Sequence, residues 1–426
     1  MSVELLLLGQ RCNLACVGCY EETMRDAGNE GGTYDLDTAV ESAIQTCKAT
    51  GSKSLTLFGG EPFLLPINDL EIVLERVTAA GLSVSAQTNG TIITPKHLEL
   101  FKRYHVSIGL SLDGPDELND WRVVRVKPEN QHRQLELTRL QTSLIHKNVD
   151  RLLEAGIVPS IITTITAFNA GTDAKLDRYI EWANGLTTKG IRYLNLHLLE
   201  VHKREGEAEH LLNQERQITV FRRLRRELKG FTHVSPFDDM KSKLSGGSGN
   251  CIWNHCSPYS TPAVTGINGQ GEAARCGRLN TDGVSWERSQ QHSHERYLSL
   301  YLRPMQQGGC GGCRFFTVCG GECPGNAENH DWRERTMHCE TIQALMQDTE
   351  QELFAEGKEP VSLSLKRPLL EWQLVSKWAG LATPETSCSV PDRPHGDAPH
   401  GDIAHGDHTD TAVWQGPPVS VMRKEK

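Results

Sequence analysis

ELLLLGQRCNLACVGCY (Glu4–Tyr20) is the stretch that decides the fold. Its first part, ELLLLG (Glu4–Gly9), is an apolar run of strand length. Its second part, RCNLACVGCY (Arg11–Tyr20), sets Cys12, Cys16 and Cys19 as C-x3-C-x2-C in the loop after that strand. In parallel α/β architectures the C-terminal ends of strands are where active sites assemble. Thiolates select soft metals, iron in clusters among them. Three ligands on a tight loop can hold a four-iron cube and leave its fourth iron for an exogenous chelator. Taken alone, the trio also admits a zinc site or scattered core cysteines.

Working outward, the chain alternates short apolar runs with longer helical stretches up to about Val201. Candidate strands are Glu4–Gly9, Ser54–Gly60, Ser83–Gly90, Val106–Gly114, Pro159–Thr166 and Ile191–Val201. Leu36–Gly51 and Asp69–Gly81 read as helices, the second with apolar residues at i, i+3, i+4 and i+7 and a glycine as its C-cap. Six strand–helix repeats predict a parallel sheet covered by helices. The fold class expected is α/β, a partial (β/α)6 TIM-like barrel followed by a small cysteine-rich domain. Residues Arg122–Ser143 read as a long loop or an inserted helix over one end of the barrel.

The expected domains are a barrel over 1–210, a helical connector over 211–250, a cysteine-rich domain over 251–345 and C-terminal helices over 346–380. A histidine-rich tail over 381–426 is expected to be disordered, because it offers few apolar residues to bury. His395, His400 and His405 recur in it every five residues. Besides solvated disorder, that spacing leaves weak metal binding and a docking or substrate-like segment open.

Eleven of the thirteen cysteines fall into two patterns. Beyond the N-terminal trio, Cys310, Cys313, Cys319 and Cys323 form C-x2-C-x5-C-x3-C, with Cys251, Cys256 and Cys276 upstream and Cys339 beyond. Three plus eight thiolates fit one open and two closed cubes, and two four-ligand zinc sites would fit the eight equally by count. Cys47 reads as a core residue and Cys388 as a free thiol of the tail.

A net charge of −9 argues against a nucleic-acid partner. No stretch approaches 18 apolar residues, so no membrane span is expected. Met1–Leu8 lacks the basic start of a signal peptide. A cytoplasmic location is expected, where cysteine clusters more often mean metal than disulfide.

RCNLACVGCY (Arg11–Tyr20), FGGEPFL (Phe58–Leu64), QTNGTIIT (Gln87–Thr94) and SLDGP (Ser111–Pro115) resemble, in order and spacing, the radical S-adenosylmethionine (radical SAM) enzymes. The C-terminal cysteines resemble their SPASM subgroup, peptide maturases similar to anaerobic sulfatase-maturating enzymes. Together the resemblance covers about residues 4 to 345. It implies that Cys12, Cys16 and Cys19 hold a four-iron cluster whose open iron binds S-adenosylmethionine. One electron then cleaves the sulfonium, and a 5′-deoxyadenosyl radical abstracts a hydrogen atom. Glu61 is expected to accept a hydrogen bond from the cofactor's ammonium. Gly59 and Gly60 are expected to let backbone approach a ligand. Thr88, Asn89, Ser111 and Asp113 are expected either to contact the cofactor or to satisfy local backbone.

By the same resemblance, Cys251, Cys256, Cys276 and Cys323 would hold one auxiliary four-iron cluster. Cys310, Cys313, Cys319 and Cys339 would hold another, making three clusters. The implied function is maturation of a peptide or protein by crosslinking, epimerisation or oxidation, with a flavodoxin or ferredoxin as electron donor. Dehydrogenation or decarboxylation of a small molecule, or a non-catalytic metal-binding scaffold, are the alternatives. Strand one begins almost at Met1, so no separate leader-binding domain is expected.

Two positions depart from the family pattern. Gly18 stands where an aromatic residue usually packs on adenine, with Tyr20 beyond the last cysteine. After strand four the stretch reads Asn119, Asp120, Trp121, Arg122, then Arg125, and either arginine, with Arg122 preferred, could meet the cofactor's carboxylate. Strand six offers Tyr193, Asn195, His197, Glu200 and His202, none of which the sequence assigns as the catalytic acid or base.

Overall fold

The computed structural model describes residues 2–29, 31–201, 208–249, 251–253, 256–259, 263–279, 289 and 294–381. His202 and the histidine repeats of the tail lie outside the described residues.

Six short strands come first: β1 (Ser2–Leu6), β2 (Ser54–Leu57), β3 (Ser83–Thr88), β4 (Ser107–Ser111), β5 (Ser160–Ile165) and β6 (Tyr193–Leu198). All pair in parallel and in chain order. β2 to β6 each form within the stretch that an apolar run marks, shortened to the part that enters the ladder, whereas β1 starts two residues before Glu4 and ends at Leu6. Parallel strands need crossovers, and helices supply them. Leu36–Thr50 starts on Asp35, whose carboxylate accepts from Thr38 N at 3.1 Å, and stops at Gly51 in the left-handed region. Pro95–Arg103 starts on a Thr94–His97 capping box.

Four further features differ from expectation. The second crossover helix runs Ile67–Ala79 and is capped by Ala80, with Gly81 one residue beyond the cap. Arg122–Ser143 divides into a loop, a 3-10 turn (Pro128–Arg133) and the start of a long helix, Gln134–Glu154. The connector holds a seventh strand, β7 (His233–Ser235), between helices Gln214–Glu227 and Phe237–Leu244. The cysteine-rich segment adds β8 (Val264–Asn268) and β9 (Ala273–Ala274).

Among the described residues the sheet therefore has nine strands, in the order β7-β6-β5-β4-β3-β2-β1-β8-β9. β1, which would otherwise be an edge, pairs with β8 over Ser2–Leu6. That pairing satisfies backbone groups that an open barrel leaves exposed. It also ties the cysteine-rich segment to the strand that leads into Cys12.

Val3, Leu5, Leu55, Leu70, Val73 and Leu74 are buried between sheet and helices. Full burial of such side chains contributes about 1.5–3 kcal/mol each. One apolar core runs from these residues through Phe221 and Met240 to Leu345 and Leu353 of helix Cys339–Ala355. Among the described residues, no helix is long and apolar enough to cross a membrane.

Candidate radical site and auxiliary cysteine sites

After β1 the chain turns through Gly9 into the loop that carries Cys12, Cys16 and Cys19. The turn after β2 lies directly on it. Gly60 N donates to Gly9 O at 3.0 Å and Glu61 N donates to Arg11 O at 2.8 Å. A β-carbon on Gly59 would lie 2.3 Å from Gly9 O, and one on Gly60 would lie 2.1 Å from Arg11 O. Both glycines admit the close approach expected of them, but what approaches is the chain's own cysteine loop.

Glu61 is fully buried and ties three segments together. Its Oε1 accepts from Phe63 N at 3.0 Å and Thr88 Oγ1 at 2.8 Å, and its Oε2 accepts from Asn89 N at 2.8 Å. Burial pushes its carboxyl up to about 7, against the pull of those donors. An ionised carboxylate has about four lone-pair positions, so roughly one stays open to a ligand. Asn89 Nδ2 donates to Asn13 Oδ1 at 2.9 Å and lies 3.6 Å from Cys12 Sγ. Asn13 in turn donates to Thr91 Oγ1 at 2.9 Å. The TNGT turn thus fixes the first cysteine of the loop from the other side.

The stretch after β4 supplies the third wall. Asp113, fully buried, accepts from Arg122 Nη2 at 3.1 Å, from Arg122 Nε, from Trp121 Nε1 and from Thr164 N at 2.7 Å. It is a clamp on Arg122 and Trp121. Ser111 accepts from Gln87 Nε2 at 2.8 Å inside the barrel. Main-chain bonds from Val17 N to Trp121 O (3.0 Å) and Ala15 N to Val123 O (2.7 Å) lay this stretch along the cysteine loop. Arg122 is buried, and its charge lowers the pKa of Cys16 against the larger effect of burial. Arg125 pairs with Glu22 at 2.9 Å and donates to Leu14 O at 3.4 Å. Of these two arginines, Arg122 is the one whose charge acts on Cys16.

Gly18 has φ +70, and a β-carbon there would lie 2.9 Å from Leu199 Cδ1 and 3.4 Å from Trp121 Cζ3. An aromatic side chain has no room at this position, and Trp121 stands next to it. Tyr20 faces the other way, toward Arg278 and Gly277.

Sequence reasoning missed Arg25. Its Nη2 lies 3.3 Å from Cys19 Sγ and its Nη1 donates to Gln10 O at 2.6 Å. A lone arginine six residues past a cysteine carries no spacing signature.

The donor set fits a thiolate-bound cluster. Burial raises all three thiols, Cys12 to about 11 and Cys16 and Cys19 upward likewise. Three such thiols ionise together only when a metal supplies the opposing charge. Arg25, Arg122, Leu14 N and Asn89 already point toward their sulfurs. Among the described residues, no group of three His, Cys, Asp or Glu is placed to hold a single metal ion. A cubane instead takes one thiolate per iron.

The other eight cysteines gather in two places. Burial raises Cys251, Cys276 and Cys323, and the charge of Cys323 adds to the rise at Cys251 and Cys276. Cys256 is buried nearby, its carbonyl accepting from Tyr297, a side chain whose own pKa is raised by burial and by Cys256 and Cys323. Cys310, Cys313, Cys319 and Cys339 line one cavity with Phe316 and Met346. Burial raises all four, and Cys319 also feels each of the other three. Cys47 is buried in the core, its Sγ on Ser54 O at 3.6 Å.

Between the trio and the first of these groups lies a buried polar network. Arg278 pairs with Glu200 at 2.5 Å, touches His197 Nδ1 at 3.3 Å and covers the Tyr20 ring. Of the strand-six candidates, the structure brings His197 and Glu200 together with the cysteine-rich segment.

Residues 6–183 match the family model of the Radical SAM superfamily. The serine-type anaerobic sulfatase-maturating enzyme of Bacteroides thetaiotaomicron is 25% identical over 38% of this chain and 39% of its own length. The AdoMet-dependent heme synthase of Nitratidesulfovibrio vulgaris is 25% identical over 75% of this chain and 86% of its own. A solved structure, native anSMEcpe with bound AdoMet and Cp18Cys peptide, superposes with a TM-score of 0.63 at 16% identity, over 83% of this chain and 98% of that one. The chain spans 64%, 67%, 39% and 30% of four curated relatives that it matches. The superfamily uses S-adenosylmethionine and a four-iron cluster. With its parallel sheet, its stitched C-x3-C-x2-C loop and this match, the chain carries a radical SAM domain.

Proposed function

We propose that this is a peptide- or protein-modifying radical SAM enzyme, with Cys12, Cys16 and Cys19 as its cluster ligands. When bound, the cluster and S-adenosylmethionine would supply a 5′-deoxyadenosyl radical that takes a hydrogen atom from an unactivated carbon. The chain's own residues prepare the place for it. Gly59 and Gly60 let the cysteine loop dock, and Asn89 and Asn13 hold its start. Glu61 keeps an acceptor position for the cofactor's ammonium, on the floor that Thr88 and Ser111 help to build. Arg122, fixed by Asp113 beside Cys16, is the cation for its carboxylate. Trp121, against Gly18, takes the place of the missing aromatic residue for adenine.

One observation carries this reading. Three separate turns, after β2, β3 and β4, converge by main-chain and side-chain bonds on the same cysteine loop. Such an arrangement fixes a ligand set before the metal arrives.

For the auxiliary sites, Cys251, Cys256, Cys276 and Cys323 would hold one cluster, and Cys310, Cys313, Cys319 and Cys339 another. Closed by four thiolates, each would pass electrons, so that crosslinking, epimerisation or oxidation of the substrate becomes possible. A flavodoxin or ferredoxin would be the donor. A peptide substrate is supported by relatives named as sulfatase-maturating enzymes and by a similar fold solved with a peptide.

A second reading keeps the radical chemistry and changes the substrate to a small polar molecule. The broad match to a heme synthase favours it, as does a barrel wall built from Thr56, Ser85, Gln87 and Ser111. Mass spectrometry of a co-expressed genomic-neighbour peptide separates the two. A loss of two mass units, or deuterium gained from solvent, supports the peptide reading. An unchanged peptide beside substrate-dependent turnover of a small molecule supports the second.

A further inference from the structure

Arg296 lies in helix Glu295–Leu302 and has no exposed surface. Its guanidinium makes five hydrogen bonds to main-chain carbonyls. Nε donates to Trp332 O at 2.7 Å. Nη1 donates to Gly320 O at 3.1 Å and Glu322 O at 3.0 Å. Nη2 donates to Gly321 O at 3.0 Å and Glu334 O at 3.3 Å. No carboxylate forms a direct ion pair with it among the described residues, and the buried Glu322 carboxyl feels its charge from beside it.

The carbonyls that it gathers belong to an unusual turn. Gly320, Gly321 and Glu322 have φ of 58, 76 and 60, three left-handed residues in succession. Glu322 takes this conformation without being a glycine, which strains its backbone. Three carbonyl dipoles aimed at one point repel unless a cation sits there. The turn is also the whole link between Cys319 and Cys323, which fall in different cysteine groups.

A buried charge without a directly paired counter-ion is strongly unfavourable. Five carbonyls solvate the guanidinium only in part, since they carry no net charge. A cubane closed by four thiolates is a net anion, and Arg296 is bonded to all three residues that link Cys319 to Cys323. We propose that Arg296 is the built-in counter-cation of the auxiliary sites. It sets the turn that delivers Cys319 to one site and Cys323 to the other, and its charge makes the clusters better electron acceptors. Arg296 is a positioning residue in this account, and the inference rests on the assignment of the eight cysteines to two clusters.

The test uses the full chain with Cys12, Cys16 and Cys19 all changed to Ala, so that only auxiliary signals remain. The parent should load about eight irons. Should it load none, the cluster assignment fails and this proposal falls with it. Redox titration followed by electron resonance then compares Arg296→Met, Arg296→Gln and Arg296→Lys. The neutral variants should shift the midpoint potentials to more negative values. Arg296→Lys should keep the potentials near the parent's, while amide exchange across 320–322 speeds at least tenfold. Iron retained by Lys but lost from both neutral variants would equally support the charge requirement. Neutral variants that load fully at unchanged potential overturn the proposal, and so does an Arg296→Lys variant that loses its iron as the neutral ones do.

Discussion

A β-carbon on Gly60 would stand 2.1 Å from the carbonyl oxygen of Arg11. The distance is far inside van der Waals contact, and both atoms belong to backbone that hydrogen bonds hold in place. The GGE turn and the cysteine loop are thus one packed unit. Gly60→Ala should leave the barrel folded and break this unit. Iron bound at the N-terminal trio should fall at least fivefold, read as iron per chain in a variant stripped of the eight other cluster cysteines.

Asp113 accepts bonds from Arg122, Trp121 and Thr164 without solvent contact. Removing one partner of a buried ion pair costs about 3–5 kcal/mol. Asp113→Asn should lower stability to urea by about 3 kcal/mol and raise the KM for S-adenosylmethionine at least tenfold. Arg125→Gln, which loses the pair of a half-exposed arginine with Glu22 and a long bond to Leu14 O, should leave that KM within twofold.

Burial holds the Glu61 carboxyl up near 7, whereas an unfolded glutamate titrates near 4.5. Between those values the folded metal-free chain keeps a proton that the unfolded chain has released. Stability from this group is complete below about 4.5, declines as pH rises to about 7, and is flat above. The slope is at most about 1.4 kcal/mol per pH unit. Glu61→Gln mimics the protonated form and should flatten that slope, measured by urea unfolding at pH 5 and 7.5.

Cys276 and Cys319 lie in separate cysteine groups, and Cys47 lies in the core. Cys276→Ala and Cys319→Ala should each lower iron by about four per chain, and the double variant by about eight. Cys47→Ala should lower it not at all, and destabilise the chain by a few kcal/mol at most.

The six leading strands were legible because a parallel strand buried on both faces reads as an apolar run between helical stretches. β7, β8 and β9 were not. His233–Ser235 is three residues long, and VTGIN (Val264–Asn268) becomes a strand because β1 offers it an edge. Which edge a short segment joins is decided by tertiary packing, and local pattern carries little of it. The cysteines were legible for the opposite reason, since their spacing is local. Trp121, Arg278 and Arg296 reach their places through contacts distant in sequence, Arg25 through the folding of the cysteine loop itself, and single side chains leave no periodic trace. Gly59 and Gly60 were marked as close-approach positions, but only the structure shows that the Gly9–Arg11 backbone is what comes close.

Reductive cleavage of S-adenosylmethionine tests the central claim most directly. Anaerobically reconstituted protein, reduced with dithionite, should release 5′-deoxyadenosine, and Cys16→Ala should abolish the release. Wild-type protein with its iron loaded that yields no more 5′-deoxyadenosine than Cys16→Ala would contradict the account.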